Sequence, residues 1–339
     1  MKNLLTTLTL VCACMTAYTQ NADSSQFYFT KAMQEKQAGK FLVASSNFDR
    51  AIKFNAANAE AYVQNGYTHL EMKRTDAALK NFTTAYSLQP NNKKLVKELA
   101  DLYFSYRQFA NAIEFAKKCA ECENSLRIMG MSYYQQEDYV NAEIMLSAAI
   151  AKDPNDAQAT YTMGRNLLDM EEYRKAIPFY NKAVKLDETK NVWMYELGLL
   201  YYNLDDFKNA LSSFKNAADH GYIQSGDFKE NLGYASLYSG EYDNGETLLL
   251  AVWKARPANK DILRDMSEIF YKQKQYDRSL AYCQKLIELD PKDGKALYQA
   301  GMCFQKKGEK DRGQQMCDKA IEMDPSLDGL RKKKEISGI

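Results

Sequence analysis

Residues 59–92 read AEAYVQNGYTHLEMKRTDAALKNFTTAYSLQPNN, and the spacing of a few residues in this stretch decides the fold. Counted from Ala59, a small residue stands at position 8 (Gly66), alanines at 20 and 27 (Ala78, Ala85), an aromatic at 24 (Phe82) and proline at 32 (Pro90). Outward from here the same columns recur. Gly130, Gly164, Gly198, Gly233 and Gly301 continue position 8, with Ala100 and Ser267 filling the gaps, in steps of 34, 30, 34, 34, 35, 34 and 34 from Gly66. Ala44, Ala112, Ala142, Ala176 and Ala210 continue position 20, and Ala51, Ala149, Ala183, Ala217 and Ala320 continue position 27. Phe48, Tyr180 and Phe214 fill the bulky column, and five of the six prolines (90, 154, 257, 291, 325) close repeats. A fixed period of this length is the mark of a stacked array of small units.

Small residues at 8, 20 and 27 let two helices of one unit approach closely, the bulky residue at 24 fills the space beside them, and proline ends the second helix because it lacks an N–H and clashes with the preceding turn. The pattern resembles the tetratricopeptide repeat, a helix–turn–helix unit. That resemblance implies an all-α fold, a tetratricopeptide-repeat α-solenoid forming a right-handed superhelix of about nine repeats. The repeats start near residues 25, 59, 93, 123, 157, 191, 226, 260 and 294 and span 25–327, leaving 328–339 as a polar C-terminal capping helix or tail that shields the end repeat. Three irregularities stand out. Repeat three lacks four residues near Lys118 to Asn124, which predicts a tighter turn into repeat four. Repeat six has one extra residue around His220-Gly221, where glycine supplies a positive φ. Repeats seven to nine carry Gly245, Ser279 and Gly313 at position 20 and Cys283 and Cys317 at position 24 in the last two, which predicts looser packing.

The first 20 residues, MKNLLTTLTLVCACMTAYTQ, are a different object: one cation at Lys2, an apolar run to about Tyr18, then the polar NADSSQ. That is the layout of an export signal, too short and too rich in threonine for a membrane span. Cleavage after residue 19, before Gln20, is the first expectation. The second is a lipid on Cys14, since Val11-Cys12-Ala13-Cys14 resembles a bacterial lipoprotein box. Both place the chain outside the cytoplasm, in the periplasm or at the outer membrane of a bacterial-type cell.

Composition excludes several classes of function. The chain has 45 basic and 44 acidic residues, so no overall field attracts nucleic acid or anionic membrane, and the Arg331–Lys334 run reads as a solvated cap. Two histidines give acid–base and metal chemistry little to work with: His69 falls at a helix-packing position and His220 in the irregular turn. No phosphate-binding glycine loop, HExxH or GxSxG occurs, and no catalytic residue, metal or cofactor is expected. Cys119-Ala120-Glu121-Cys122 is the one CxxC; it closes a helix rather than opening one after a strand, which favours a resting thiol pair or a local staple over a redox centre. With Cys283, Cys303 and Cys317 the mature chain has an odd number of cysteines.

The remaining feature is tyrosine, 24 residues in all. In the family the resemblance points to, the concave groove is lined by positions 2, 5, 9, 12 and 13 of each first helix. Carried over, these positions hold Tyr67, Tyr134, Tyr161, Tyr195, Tyr202, Tyr234, Tyr238, Tyr271 and Tyr298, with Arg127, Arg165 and Arg264 among them. Repeats four to seven are densest, so Tyr134, Tyr161, Arg165, Tyr195, Tyr202, Tyr234, Tyr238 and Arg127 form the candidate partner-binding set. Tyrosine and arginine are favoured interface anchors; the competing reading is that the rings pack neighbouring helices. The carboxylate clamp of chaperone-tail binders is not implied, because positions 5 and 9 read Val63/Tyr67, Lys97/Asp101 and Arg127/Met131 rather than Lys and Asn. The sequence therefore reads as an exported, non-enzymatic scaffold for a protein or peptide ligand. The rivals are an envelope assembly factor working through convex or end contacts and a carbohydrate-binding module.

Overall fold

In a computed structural model the described residues are 21–329. The expected signal segment, Cys14, the Arg331–Lys334 run and all but two residues of the expected capping tail lie outside them. The described chain is all-helical, with no strand among the described residues. Helix α1 covers 21–37. It is followed by α2 (Phe41–Phe54), α3 (Ala59–Glu71), α4 (Thr75–Leu88), α5 (Lys93–Ser105), α6 (Phe109–Lys118), α7 (Ser125–Gln135), α8 (Tyr139–Lys152) and α9 (Ala157–Asp169). Then come α10 (Tyr173–Leu186), α11 (Asn191–Asn203), α12 (Phe207–Asp219), α13 (Gly226–Tyr238), α14 (Tyr242–Ala255), α15 (Asp261–Lys272), α16 (Tyr276–Leu289), α17 (Gly294–Lys306), α18 (Lys310–Met323) and a 3-10 turn at Pro325–Leu327. Odd-numbered helices are the first (A) and even-numbered the second (B) helices of the nine expected repeats. The chain divides into two compact units at Glu171/Glu172, within the A–B turn of repeat five.

The column chemistry is visible as contact. A Cβ placed on Gly66 would lie 2.9 Å from the Phe82 ring, on Gly198 2.5 Å from Phe214, on Gly130 2.7 Å from Leu146 and on Gly233 2.8 Å from Leu249. Position 8 is thus the hole that receives the position 24 side chain of the same repeat. Phe48, Phe82, Tyr180 and Phe214 are buried, as the bulky column requires. In the first unit the core runs through Phe82, Leu95, Leu99, Phe115, Ile128 and Met129. The second unit has one cluster around Met194, Phe214, Phe228 and Leu232, and another around Leu249, Leu263, Met266, Phe270 and Leu286.

Every A–B turn takes a left-handed residue at position 15. Gly39, Gly240 and Gly308 supply it in three repeats, whereas Lys73, Arg107, Glu137, Glu171, Asp205 and Lys274 adopt it at φ between 56° and 61° in the others. The turn is set by backbone hydrogen bonds, such as Arg74 N–H to the His69 carbonyl at 2.8 Å. A polar side chain pointing to water tolerates the modest strain. No glycine column marks the turn for that reason.

Two expectations are corrected. The four-residue deficit in repeat three does not tighten the turn: α6 has 10 residues and α7 has 11, where the other helices from α2 onward have 12 to 14, and the connection 119–124 is longer than most. The missing residues come out of the helices, and Cys119–Cys122 forms a disulfide inside the connection. The packing of repeats seven to nine is not looser. A Cβ on Gly245 would lie 2.8 Å from the Gly233 carbonyl, and one on Gly313 2.4 Å from the Gly301 carbonyl, so glycine at position 20 lets the backbones meet. In repeat eight the buried Ser279 hydroxyl donates to the Ser267 carbonyl at 2.7 Å, and the Cys303 thiol donates to Ser279 at 3.2 Å. The inserted residue of repeat six behaves as expected, with Gly221 at φ 83°.

Candidate functional site

Positions 5, 9 and 12 of an A helix lie one turn apart and share a face. In the first unit this face is carried by α3, α5, α7 and α9. On α7, Arg127 reaches Asp156 at 3.2 Å; Asp156 is also the N-cap of α9, accepting the Ala159 amide at 2.9 Å. The Tyr134 hydroxyl donates to Asp169 at 2.7 Å across α7 and α9. On α9, Arg165 donates to the Tyr161 hydroxyl one turn away at 3.3 Å. Burial pushes the Tyr134 hydroxyl well above the usual tyrosine value; its bond to Asp169 adds to this, and Arg165 opposes it. Tyr134, Tyr161, Arg165 and Asp169 therefore form one cluster. Tyr67 stands on α3 with the Lys36 ammonium 5.3 Å from its ring centre and Phe82 edge-on at 5.0 Å. Burial and Glu98 on the next A helix raise its hydroxyl.

In the second unit Tyr195 on α11 is half-buried among other rings. Its ring stacks on Tyr222 at 4.5 Å and touches Phe214 and Phe228, and its hydroxyl accepts from Asn231 at 2.8 Å. Tyr222 sits in the connection that carries the inserted residue, so the insertion completes this ring cluster. Farther along, Phe207 at the start of α12 stacks on Tyr238 at 4.1 Å and meets Tyr202 edge-on at 5.3 Å. The Tyr234 hydroxyl donates to Asp265 on α15 at 2.8 Å. Tyr202 is pushed up to about 12 by burial, then by Tyr238, Asp265, Asp205 and Glu230. Tyr202, Tyr234 and Tyr238 thus share one half-buried surface with Glu230 and Asp265. Tyr271 is half-buried on α15, whereas Tyr298, carried to the same face by position, is 6 % exposed within the last repeat's core.

Arg264 repeats the arrangement of Arg127: it bonds Asp293, the N-cap of α17, at 2.9 Å, again 29 residues ahead. Position 5 arginine is thereby tied to the cap of the next A helix. The sequence reading missed the carboxylates Asp169, Glu230 and Asp265. Their signal was an acid on the A helix of a repeat that holds, or follows one that holds, a groove-position tyrosine, legible only once the register of neighbouring helices is known.

His69 sits 3.4 Å from the Ser45 hydroxyl, and burial lowers its pKa. The cysteines 283, 303 and 317 are buried and take part in no disulfide, and burial drives the Cys283 thiol up to about 12, away from the reactive thiolate. Among the described residues no group of three or more His, Cys, Asp or Glu side chains is placed to hold a metal ion, and no helix is long and apolar enough to cross a membrane.

Comparison with known proteins agrees with this architecture. The chain is 23 % identical over 256 residues to a BBSome complex member, BBS4, of Bos taurus, covering 74 % of this chain and 46 % of that protein. It is 23 % identical over 294 residues to DnaJ homolog subfamily C member 3 of Rattus norvegicus, covering 77 % and 58 %. The chain thus spans about half the length of the curated relatives it matches. A solved structure of YrrB, described as a TPR protein with an unusual peptide-binding site, is 24 % identical with a TM-score of 0.40, covering 56 % of this chain and 97 % of that one. Tetratricopeptide-repeat profiles match residues 59–92, 157–190, 194–219, 230–294 and 294–327, together more than half of the sequence and in phase with the helix pairs described above. With nine A–B pairs, the glycine holes at position 8 and these matches in one register, the chain belongs to the tetratricopeptide-repeat family.

Proposed function

We propose that this chain is an exported scaffold of the bacterial cell envelope, in the periplasm or at the outer membrane, that holds a protein or peptide segment against its A-helix faces. Members of the family are generally non-enzymatic scaffolds for protein–protein interaction. Two features of this sequence favour the finer reading: the signal-like residues 1–19, and the tyrosines that gather on the A helices. The observation that carries it is the half-buried surface of Tyr202, Tyr234 and Tyr238, where rings offer rigid area and hydroxyls offer hydrogen bonds. In the first unit Tyr134, Tyr161, Arg165 and Arg127 form the corresponding face. Tyr195, in contact with three other rings, belongs to the same set in the second unit.

A photo-crosslinking residue at position 238 should capture a partner in intact envelopes, and Tyr202→Ala with Tyr238→Ala should weaken that binding by about 2 kcal/mol or more per anchor with helical content unchanged. Loss of stability with unchanged binding would make these rings interhelix packing and move the partner elsewhere. Mass spectrometry of the purified chain distinguishes cleavage before Gln20 from a diacylglycerol on Cys14. A second reading has its own observation: Val140 and Ile144, one turn apart on α8, are 64 % and 54 % exposed. A crosslink from position 144 and none from 238 would favour an assembly factor working through its B helices.

A further inference from the structure

Repeat positions alone give the candidate face tyrosine and arginine; side-chain pairing changes its sign. Arg264, the one arginine at a groove position in the second unit, is tied to Asp293 at 2.9 Å, and its side chain is 27 % exposed. Arg256, at the foot of the same face, leans on Asp227 at 3.5 Å. What remains around the rings is negative. Asp265 and Glu268 are exposed on α15, Glu230 is half-buried on α13, and Asp205 is exposed in the turn after α11; among the described residues none of the four lies within ion-pair distance of a cation. These carboxylates surround the tyrosines closely enough to act on them. Asp265 and Glu230 act on Tyr202 and Tyr234, and Asp265, Asp205 and Glu268 on Tyr238. Glu230 itself is held above the usual carboxylate range by burial, with Asp227 and Asp265 adding to this and Arg256 opposing it.

Three tyrosine rings and four carboxylates in mutual range, none of the carboxylates held in an ion pair among the described residues, are complementary to one kind of ligand. Each ring presents a negative π face to a cation, and each carboxylate offers acceptors to an ammonium or guanidinium. Because the Tyr234 proton is directed onto Asp265, that carboxylate is fixed in position as an acceptor.

From this juxtaposition we infer that the A-helix surface of the second unit, built from Tyr202, Tyr234, Tyr238, Glu230, Asp265 and Glu268, binds an extended peptide segment bearing lysine or arginine. The inference rests on the reading above that the A-helix face receives the partner, and adds the chemistry of that partner. Cation–π contact with the rings and ion pairs with the carboxylates together select the basic residues, and the phenol rings hold the aliphatic stems.

The test uses the full chain and a randomised peptide library, followed by synthetic peptides from its enriched sequences and the same peptides with each Lys or Arg replaced by Glu. Enrichment of basic residues, binding that weakens as salt rises, and no binding of the Glu peptides are expected. The isosteric variant Glu230→Gln, Asp265→Asn, Glu268→Gln should lose affinity about tenfold while keeping its helical signal. The single exposed change Glu268→Gln should give a smaller loss and needs no repacking. Enrichment of acidic or purely apolar peptides, or full affinity in the triple variant, overturns the inference. The two readings fail separately: a crosslink at position 238 to a partner segment without basic residues would leave the binding face standing and remove its charge selection, whereas no crosslink there removes both.

Discussion

Gly313→Ala is the sharpest test of how the last repeats are packed. Alanine in place of a mid-helix glycine ordinarily stabilises by about 1 kcal/mol through helix propensity. Here the added Cβ would lie 2.4 Å from the Gly301 carbonyl, 2.6 Å from Gln305 Cγ and 2.8 Å from the Gln305 amide. Two of these three atoms are backbone of α17 and cannot swing aside. Reaching an ordinary contact of 3.4 Å requires α17 and α18 to part by about 1 Å where they cross. Such a shift loosens Tyr298, Cys317 and Ala320, which form the buried seam between the two helices. Overpacking of this kind costs about 1–3 kcal/mol, and the rigid obstacle places it near the upper end, so after the propensity gain the net destabilisation is about 1–2 kcal/mol. Urea unfolding followed by circular dichroism measures it, and amide exchange should localise it to α17 and α18, because a repeat contacts only its neighbours. Gly226→Ala is the control: its Cβ would meet only the mobile end of Arg256 at 3.3 Å, and its stability should stay within about 0.5 kcal/mol of the parent. A neutral or stabilising Gly313→Ala would refute the close backbone approach and restore the loose packing that the sequence columns predict.

Three further outcomes follow from the side-chain network. Asp293→Asn keeps the α17 cap and removes the ion pair with Arg264, whereas Asp293→Ala removes both and should cost about 1 kcal/mol more in thermal unfolding; equal losses would show that the cap contributes nothing. Tyr202 and Tyr234 have hydroxyls raised in the fold by burial first, Tyr202 to about 12, so their stabilisation is complete below the unfolded value of about 10 and is lost as pH climbs through the folded value. Tyrosinate absorbance of the native chain should therefore show a late-titrating set and stability should fall above about pH 10; simultaneous titration of all tyrosines near 10 would contradict the packing. Finally, peptide mapping of unreduced chain should find Cys119 joined to Cys122, and replacing both by serine should cost at most about 2 kcal/mol, the entropy of so short a loop, with exchange quickening in α6 and α7; labelling of both as free thiols would exclude the staple.

The period of 34 and its columns were enough to determine the helix pairs and their partners within each repeat, because one residue type at position 8 and one at 24 must fit the same hole: Gly66 against Phe82 and Gly198 against Phe214 are contacts between residues 16 apart in one text. The A–B turns were placed by the sequence as well, although nothing in Lys73 or Arg107 announces a left-handed backbone; the helices on either side impose it. Tertiary structure alone decided what lies between repeats. Whether glycine at 245 and 313 loosens a crossing or closes it depends on how near the partner backbone stands. Where the deficit of repeat three falls depends on which helix ends remain satisfied when α6 and α7 shorten around the Cys119–Cys122 bridge. The charge of the A-helix face is the clearest case. Position assigns it Arg127 and Arg264, but the caps of the next A helices, Asp156 and Asp293, neutralise them, and the acids left over gather around Tyr202, Tyr234 and Tyr238. Columns within a repeat carry no record of the register between one A helix and the next, and it is that register which sets the sign of the surface.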